Sequence, residues 1–374
     1  MKVAIYSENL LGNSGGAEIY ALKIAECLEE KVDVTIFTVV PEKKDYTNLI
    51  EKVFVKYNVP KINVCTVRFN HYNHKVLELF SRLKLWFTLR KQIKKRFDLF
   101  INCSCNRMFG FSSTKSVHLI HFPVQNYIKI FGNFFGKILN LCYTKSYYLF
   151  LSNSLFTKEY LKLYWDVEST ILNPPICMEQ ISYQALPLKE DYILAVGRIV
   201  PDKQILFMIN SFIKLKEKLP CSYKFVIIGN SDTTFTEYFD DIKKIIQQRD
   251  DILLLSSINF HDLVQWYRKA KIFWHAKGIN VVNPLEMEHF GMTTVEAMVN
   301  GCVPVVINKG GQIEIVSDSL IGFLWNSEEE LIDYTIDIIS KKDILFDYQR
   351  AAIERAKFFL FDEFKTNLLR ILKI

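Results

Sequence analysis

Short apolar runs alternate with segments of helical periodicity along most of this chain. The pattern begins with an apolar run at Lys2–Ser7, a glycine-rich loop at Gly12–Gly16 and a helical segment at Ala17–Glu30. Alternating strands and helices joined by short loops predict parallel, doubly wound sheets. The alternation stops at two consecutive prolines, Pro174 and Pro175, and then begins again. We therefore predict an α/β chain of two Rossmann-like domains.

The same alternation predicts the remaining elements on both sides of the prolines. The predicted strands are Val32–Val39, Leu99–Cys103, Val117–His121, Tyr148–Asn153, Tyr192–Val196, Tyr223–Ile228, Ile252–Leu255, Ile272–His275 and Val303–Ile307. The predicted helices after the prolines are Ile205–Lys218, Thr236–Gln248, His261–Lys269 and Val295–Val299. We expect an N-terminal domain over residues 1–175 and a C-terminal domain over residues 176–350. Residues 351–374 are expected to form a C-terminal helix that packs back on the N-terminal domain.

Composition favours a globular protein. The 374 residues are 49% hydrophobic and 24% charged, which is typical of a folded chain. The eight cysteines form no C-x-x-C pair, so free thiols are favoured over a zinc site or a disulfide framework. The N-terminus becomes polar after one short strand, and no uncharged apolar run approaches the roughly 18 residues of a membrane span. We expect a cytoplasmic protein that is not integral to a membrane.

Positive charge is concentrated in the N-terminal half. The net charge is +6, but residues 52–158 alone hold 18 lysines and arginines against two acids, Glu78 and Asp98. Such asymmetry predicts an anionic partner, either nucleic acid or the surface of an anionic membrane. Because no nucleic-acid recognition motif accompanies the charge, we favour peripheral contact with a membrane and expect no nucleic-acid partner.

One basic, aromatic segment is the candidate for that contact. Val76–Phe97 has helical periodicity, and residues 126–150 add phenylalanines and tyrosines among lysines. The apolar stripe is predicted to comprise Leu79, Leu83, Trp86, Ile93 and Phe97, with Lys84, Lys91 and Lys95 on another side. Such a helix would suit the interface of an anionic bilayer. The alternative is a helix that buries its apolar stripe in the core and exposes a basic face to water.

The first chemical signal is a pair of glutamates, Glu288 and Glu296, separated by seven residues. In doubly wound sheets, ligands bind where strands end and helices begin. Gly291, Met292, Thr293 and Thr294 are predicted to open a helix, whose N-terminus attracts phosphate. Glu296 is predicted on the first turn of that helix, where its carboxylate can accept two hydrogen bonds from a diol such as ribose.

The second signal is a pair of cations. Arg198 and Lys203 flank the loop that follows the strand Tyr192–Val196. Cations in that position can neutralise a diphosphate without a metal ion. The sequence contains no D-x-D triplet, which argues against a Mn²⁺- or Mg²⁺-nucleotide site of that type. We therefore expect no metal and no other cofactor.

Taken in order, these motifs resemble the retaining glycosyltransferases of family 4, which have the GT-B fold. The residues that carry the resemblance are Gly15-Gly16-Ala17-Glu18, Ser154-Leu-Phe-Thr157-Lys158, Asn173-Pro174-Pro175, Gly197-Arg198 with Lys203, and Glu288-His-Phe-Gly-Met-Thr-Thr-Val-Glu296 with Gly301-Cys-Val-Pro304 and Gly310-Gly311. Two further phrases, His121-Phe122-Pro123 and His289-Phe290-Gly291, resemble the GDP-mannose-dependent mannosyltransferases of lipid-linked glycan assembly.

The resemblance implies a role for each site residue. Arg198 and Lys203 would bind the donor diphosphate, Glu288 the hydroxyls of the donor sugar and Glu296 the ribose. The other implied donor-site residues are Phe290, Gly291, Met292, Thr293 and Thr294 through their backbone amides, Gly15 and Gly16 near the diphosphate, His121 beside the sugar, and Gly229 with Ile258 near the base. Glu288, His121, Arg198 and Lys203 would be the catalytic group. The anomeric configuration would be retained, by front-face attack assisted by the leaving phosphate.

The predicted activity is transfer of a hexose from a nucleotide sugar, GDP-mannose being preferred, to a glycan or glycolipid. The alternatives are a UDP-sugar-dependent transferase, a GT-B sugar-nucleotide epimerase and a non-catalytic GT-B subunit. One departure from the family pattern is a longer loop before Glu288, which brings Glu286 within two residues of it. We interpret His275 and His289 as structural residues.

Overall fold

The computed structural model describes residues 1–12, 16–42, 45–72, 75–104, 109–111, 115–123, 133–179, 188–231 and 233–374. These residues divide into two compact units. The first unit comprises Met1–Pro175 together with Phe364–Ile374, and the second comprises Ile176–Glu363. Within the described ranges, no helix has both the length and the apolar character needed to cross a bilayer.

The first unit contains a parallel sheet of seven described strands in the order β3-β2-β1-β4-β5-β6-β7. The strands are β1 (Lys2–Tyr6), β2 (Asp33–Val40), β3 (Asn63–Arg68), β4 (Leu99–Asn102), β5 (Lys115–Ile120), β6 (Leu149–Ser152) and β7 (Thr170–Ile171). The described helices are α1 (Gly16–Glu29), α2 (Thr47–Lys56), α3 (Lys75–Ile93), α4 (Asn133–Lys145), α5 (Leu155–Trp165) and, near the end of the chain, α13 (Phe361–Leu372). Central strands such as β4 are buried at every position, as expected of a sheet covered on both faces.

Helices α3 and α4 cover one aromatic core of this sheet. The Trp86 Nε1–H of α3 donates to the Phe109 carbonyl, 2.9 Å away, and the Phe109 ring lies 5.9 Å from that of Tyr143 in α4. The buried positions of α3 are Leu85, Leu89 and Ile93. The two helices therefore lie on the same side of the sheet.

The predicted apolar stripe of α3 is wrong in part. Leu79 and Leu83 are exposed, with 44% and 43% of their surface accessible, and α3 ends at Ile93, before Phe97. The sequence contains so many apolar residues in this segment that more than one stripe fits the helical period. Packing against the aromatic core selects Leu85 and Leu89 instead.

The second unit contains a parallel sheet of six described strands in the order β10-β9-β8-β11-β12-β13. The strands are β8 (Glu190–Val196), β9 (Lys224–Ile228), β10 (Ile252–Leu255), β11 (Ala270–His275), β12 (Val303–Ile307) and β13 (Phe323–Trp325). The helices are α6 (Ile205–Lys218), α7 (Thr236–Ile246), α8 (Phe260–Lys269), α9 (Met292–Val299), α10 (Gln312–Ile315), α11 (Glu328–Ser340) and α12 (Lys342–Ala356). Two parallel α/β sheets of this kind confirm the predicted Rossmann-like fold class.

A left-handed glycine follows α9 in the short connection to β12. Gly301 has φ +74° and its N–H bonds to the Met298 carbonyl at 2.9 Å. All five residues of β12 are buried. The carboxyl ends of β8, β11 and β12 consequently open onto the same edge of the sheet.

Candidate functional site

Three side chains from three different elements meet at that edge. The Lys203 Nζ lies 2.7 Å from Glu288 Oε2, and His275 Nε2 lies 3.3 Å from the same oxygen. Lys203 ends a 3-10 turn after β8, His275 is the last residue of β11, and Glu288 follows a second 3-10 turn at Pro284–Glu286. The structure thus brings the predicted Lys203 and Glu288 together, and it adds His275.

The charges around Glu288 favour its carboxylate. Burial alone would raise the pKa of Glu288, but the Lys203 ammonium, the hydrogen bond from His275 and the Lys277 ammonium outweigh burial and hold that pKa well below its usual range. Burial lowers the pKa of His275, so its imidazole is neutral at neutral pH. Lys277 is itself paired with Asp202, with Nζ 3.2 Å from Oδ2. The result is a carboxylate held between cations.

The backbone of Glu288 is held by a glycine pair after β12. The Gly311 N–H donates to the Glu288 carbonyl at 2.8 Å. Gly310 has φ +62°, and a Cβ at this position would overlap the same carbonyl oxygen. A Cβ at Gly311 would overlap the Cα of Phe290. Only glycines allow the two loops to approach this closely.

Glu296 is oriented by a buried tyrosine. The Tyr267 hydroxyl of α8 donates to Glu296 Oε2 at 2.8 Å, and Tyr267 is fully buried. Burial raises the pKa of Glu296, and the hydrogen bond from Tyr267 opposes that rise. The predicted place of Glu296 on the first turn is wrong, because α9 begins at Met292 and Glu296 is therefore its fifth residue. Sequence reasoning also missed Tyr267, whose contact depends on how α8 packs against α9.

The N-terminus of α9 follows a glycine at positive φ. Gly291 has φ +121°, and a Cβ there would lie 2.6 Å from Gln312 Nε2. The first N–H groups of any helix lack intrahelical acceptors, so those of Met292 and Thr293 can bind an anion. The Thr294 side chain is buried. Phe290 is buried as well, and its ring packs 5.5 Å from that of Phe359.

Arg198 and the predicted base-binding residues lie on the neighbouring strand ends. Arg198 is exposed, and its guanidinium contacts no acceptor within the described ranges. Gly229 is required for packing, because a Cβ there would overlap the Gly197 carbonyl. The Gly229 N–H bonds to the Leu255 carbonyl at 3.0 Å, which brings Gly229 beside the loop that contains Ile258. Ile258 is half-buried against the core.

The longer loop before Glu288 is an ordered turn. Lys309 Nζ donates to the carbonyls of Gly278 and Val281, each at 3.0 Å. Glu286 is exposed and accepts a hydrogen bond from Asn283 Nδ2 at 2.9 Å. Glu286 is therefore bound to Asn283, which caps this turn, whereas Glu288 pairs with Lys203.

Two predicted residues lie in the first unit, and one lies outside the described residues. Gly16 begins α1, whereas Gly15 falls in the range that the structure does not describe. The half-buried His121 has Nε2 3.4 Å from the Cys103 carbonyl, and its own carbonyl accepts from Thr157 Oγ1 at 3.0 Å. Burial lowers the pKa of His121, against the hydrogen bond to Cys103 and the charge of Glu18. His121 is therefore a neutral imidazole fixed at the end of β5.

A family model matches most of the second unit. Residues 179–358, nearly all of that unit, match the model of a family described as glycosyl transferases group 1. Glu288, Glu296, Arg198 and Lys203 all lie within the matched residues.

Two curated proteins are similar in sequence. A GDP-Man:Man(3)GlcNAc(2)-PP-Dol alpha-1,2-mannosyltransferase of Dictyostelium discoideum is 23% identical over 263 residues, which are 65% of this chain and 50% of the relative. A sucrose synthase of Melioribacter roseus is 26% identical over 180 residues, 44% of this chain and 22% of the relative. The chain thus spans half or less of these curated relatives.

A solved glycosyltransferase of Rickettsia africae has the same fold. It superimposes with a TM-score of 0.76 at 17% identity, and the superposition covers 100% of this chain and 97% of that protein. The likeness confirms the predicted GT-B fold class.

Proposed function

We propose that this protein is a retaining, metal-independent glycosyltransferase that moves a hexose from a nucleotide sugar to a glycan or glycolipid, with GDP-mannose as the preferred donor. The observation that carries the proposal is the convergence of Lys203 and His275 on Glu288 within the residues that match the group 1 family model. A carboxylate held between cations at a strand-end edge suits a ligand that combines sugar hydroxyls with a diphosphate.

We assign the diphosphate, the ribose and the hexose of the donor to different residues of the site. Arg198, Lys203 and the N-terminus of α9 would bind the diphosphate, since all three present positive charge without a metal. Glu296, oriented by Tyr267, would accept hydrogen bonds from the ribose hydroxyls. Glu288 would accept from the hydroxyls of the hexose.

Catalysis would rest on positioning and on stabilisation of the departing charge. The bond from the anomeric carbon to the diphosphate breaks, and the bond to the acceptor oxygen forms on the same face. Arg198 and Lys203 would offset the charge that builds on the diphosphate. A diphosphate oxygen would take the acceptor proton.

Two observations favour GDP-mannose. The phrases around His121 and His289 resemble GDP-mannose-dependent enzymes, and the name of the Dictyostelium relative specifies GDP-Man. Because a sucrose synthase also matches this chain, other sugar donors have to be tested beside GDP-mannose.

We also propose that the first unit binds the surface of an anionic membrane, on the cytoplasmic face. Helices α3 and α4, which share one side of the sheet, expose several large apolar side chains. These are Leu77, Phe80, Leu83 and Phe87 on α3, and Phe134, Ile138 and Leu141 on α4. Exposed aromatic and aliphatic side chains on two neighbouring helices are typical of interfacial binding.

The charges of the same two helices complement anionic lipid. Lys84 and Lys91 are exposed on α3, as are Lys137 and Lys145 on α4. The acid at the start of α3, Glu78, is paired with Arg82 Nε at 2.7 Å, and α4 contains no acid. The basic and apolar groups together favour a lipid surface over a purely aqueous one.

Thermal stabilisation by nucleotides tests the donor proposal. A ligand stabilises the folded protein by an amount set by its concentration relative to its dissociation constant. Purified protein would be heated with GDP, GDP-mannose, UDP and UDP-glucose, each with and without EDTA. We expect a rise in Tm with GDP and GDP-mannose that EDTA does not change. A rise with UDP-glucose alone would overturn the mannose preference, and no rise with any nucleotide would favour a non-catalytic subunit.

A further inference from the structure

We infer that His275 is a positioning residue, which holds the Glu288 carboxylate in place when Lys203 turns towards a bound diphosphate. The inference rests on the proposed function, because it assigns Glu288 and Lys203 to the donor. It goes beyond that proposal by giving a task to a buried histidine that sequence reasoning interpreted as structural.

Both contacts are made to one oxygen of Glu288. Lys203 and His275 approach Oε2, whereas Oε1 makes no hydrogen bond to any residue that the structure describes. The carboxylate therefore offers one oxygen to a ligand and is anchored through the other. The main chain of Glu288 is already held by Gly311, so the two contacts at Oε2 determine the orientation of its side chain.

The two anchors differ in mobility. Lys203 has a flexible four-carbon side chain, and its ammonium is also the group that a diphosphate would attract. His275 has a short side chain, is 5% exposed and ends a buried strand. Its neighbour Trp274 is fixed in the core by a hydrogen bond from Nε1 to Thr335 Oγ1 at 3.0 Å. His275 is thus the anchor that stays when Lys203 moves.

The surroundings of His275 make it a neutral donor. Its Nδ1 is buried and lacks a hydrogen-bond partner among the described residues, so the proton belongs on Nε2, where Glu288 accepts it. The charged groups around the pair are Lys203, Lys277 and the Asp202 that binds Lys277. The two ammonium groups oppose a further positive charge on the imidazole, whereas Glu288 favours one. A neutral Nε2–H donor holds the carboxylate without competing with Lys203 for the diphosphate.

The test compares two substitutions of the same residue. His275→Leu removes the donor, whereas His275→Gln retains an N–H group in a similar place. His261→Gln is the matched control, because His261 is exposed at the start of α8. The pKa of Glu288 would be followed by carbon-13 NMR of protein labelled at the glutamate carboxyl, with Glu288→Gln identifying the resonance.

We expect the Glu288 resonance to titrate at higher pH in His275→Leu than in wild type, and near the wild-type pH in His275→Gln and in the control. Nucleotide-sugar turnover should fall on the order of a hundredfold in His275→Leu, as expected of a misplaced group, while its affinity for GDP stays within about twofold of wild type. The acidic limb of its kcat/KM profile should move towards neutral pH.

Identical Glu288 titrations in wild type and His275→Leu would overturn the inference, whatever the activity. So would equal losses of turnover in His275→Leu and His275→Gln with unshifted pH profiles, because that result indicates packing alone. A wild-type protein that turns over no nucleotide sugar would overturn the proposed function instead, and the NMR titration would still decide whether His275 holds Glu288.

Discussion

Lys203 and Glu288, which are 85 residues apart in the sequence, form an ion pair with Nζ 2.7 Å from Oε2. The cation that would bind a diphosphate thus already has an anionic partner. A diphosphate must attract the ammonium away from Glu288 or share it. The pair therefore links binding of the phosphates to the position of the group that would contact the sugar.

Replacing Lys203 should weaken nucleotide binding. In Lys203→Met the diphosphate loses a charge-assisted hydrogen bond, which contributes about 1.5–3 kcal/mol. We expect the Kd of GDP to rise by roughly ten- to a hundredfold in titration calorimetry. Lys214→Met is the control, since Lys214 is an exposed lysine paired with Glu328 at 2.6 Å. Equal affinities in Lys203→Met and wild type would contradict the assignment.

Tyr267 should act on the ribose through Glu296. Tyr267→Phe removes the 2.8 Å hydrogen bond and leaves Glu296 free to rotate. We expect GDP to bind roughly tenfold more weakly, whereas a dideoxy analogue that lacks both ribose hydroxyls should bind the variant and the wild type alike. Tyr334→Phe, a half-buried tyrosine of α11, provides the comparison. An equal loss of affinity for GDP and for its analogue would mean that Glu296 does not bind the ribose hydroxyls.

The two glutamates should give opposite dependences of stability on pH. The pKa of Glu288 is lower in the folded chain, so its carboxylate stabilises the fold above the unfolded pKa of about 4.3, and this stability is lost as pH falls through the folded pKa. The pKa of Glu296 is raised, so its contribution is complete below about pH 4.3 and is lost as pH rises through the folded pKa.

Urea unfolding of Glu288→Gln and Glu296→Gln across pH 3–8 measures both effects. The free energy of unfolding of wild type relative to Glu288→Gln should fall as the pH is lowered. The free energy of unfolding of wild type relative to Glu296→Gln should fall as the pH is raised. Parallel pH curves for the two variants would contradict these pKa directions.

The glycine pair beneath Glu288 should not tolerate a side chain. Gly310→Ala would place a Cβ against the Glu288 carbonyl at φ +62°. The left-handed conformation alone costs about 1–2 kcal/mol for a residue with a Cβ. We expect at least that loss in the free energy of unfolding, together with reduced turnover. Gly12→Ala is the control, because its Cβ would lie 3.5 Å from the nearest atom. Wild-type stability of Gly310→Ala would disprove the close packing.

Charge reversal on α3 should release the protein from lipid. Each basic residue near an anionic bilayer contributes about 1 kcal/mol, so the Lys84→Glu and Lys91→Glu double variant should lose at least about 2 kcal/mol of vesicle binding. Sedimentation with vesicles containing phosphatidylserine measures this, and vesicles of phosphatidylcholine alone should bind neither protein. A Lys243→Glu and Lys244→Glu double variant on α7 carries the same charge change in the second unit. Equal losses in both double variants would indicate a general effect of net charge.

Sequence patterns located several elements of the second unit, whereas α10, α11 and β13 were not predicted. The predicted helix over 205–218 and the predicted strands over 252–255 and 303–307 agree with the structure residue for residue. These segments have strong periodicity or form continuous apolar runs, so local pattern suffices. In the first unit α2 and β3 were not predicted, and β3, at the edge of the sheet, is only partly buried.

The site was predictable only where a motif contained its residues. The seven-residue spacing to Glu296 favours Glu288 over Glu286. In the structure Glu288 pairs with Lys203, whereas Glu286 accepts a hydrogen bond from Asn283. Tyr267 and His275 were missed because each meets its glutamate through the packing of separate elements. Local sequence patterns do not predict contacts between separate elements. A tyrosine in α8 or a histidine at the end of β11 is therefore interpreted as an ordinary core residue.

Transfer of labelled sugar is the direct test of the proposed glycosyltransferase activity. Radiolabelled GDP-mannose, and UDP-glucose in parallel, would be incubated with wild-type protein, Arg198→Ala and Glu288→Gln in the presence of a lipid and glycan extract. We expect wild type to transfer label from GDP-mannose to the lipid or glycan fraction in the presence of EDTA. We expect both variants to lose most of that transfer while remaining folded. Equal transfer by wild type and both variants, or none by wild type from either donor, would contradict the proposed activity.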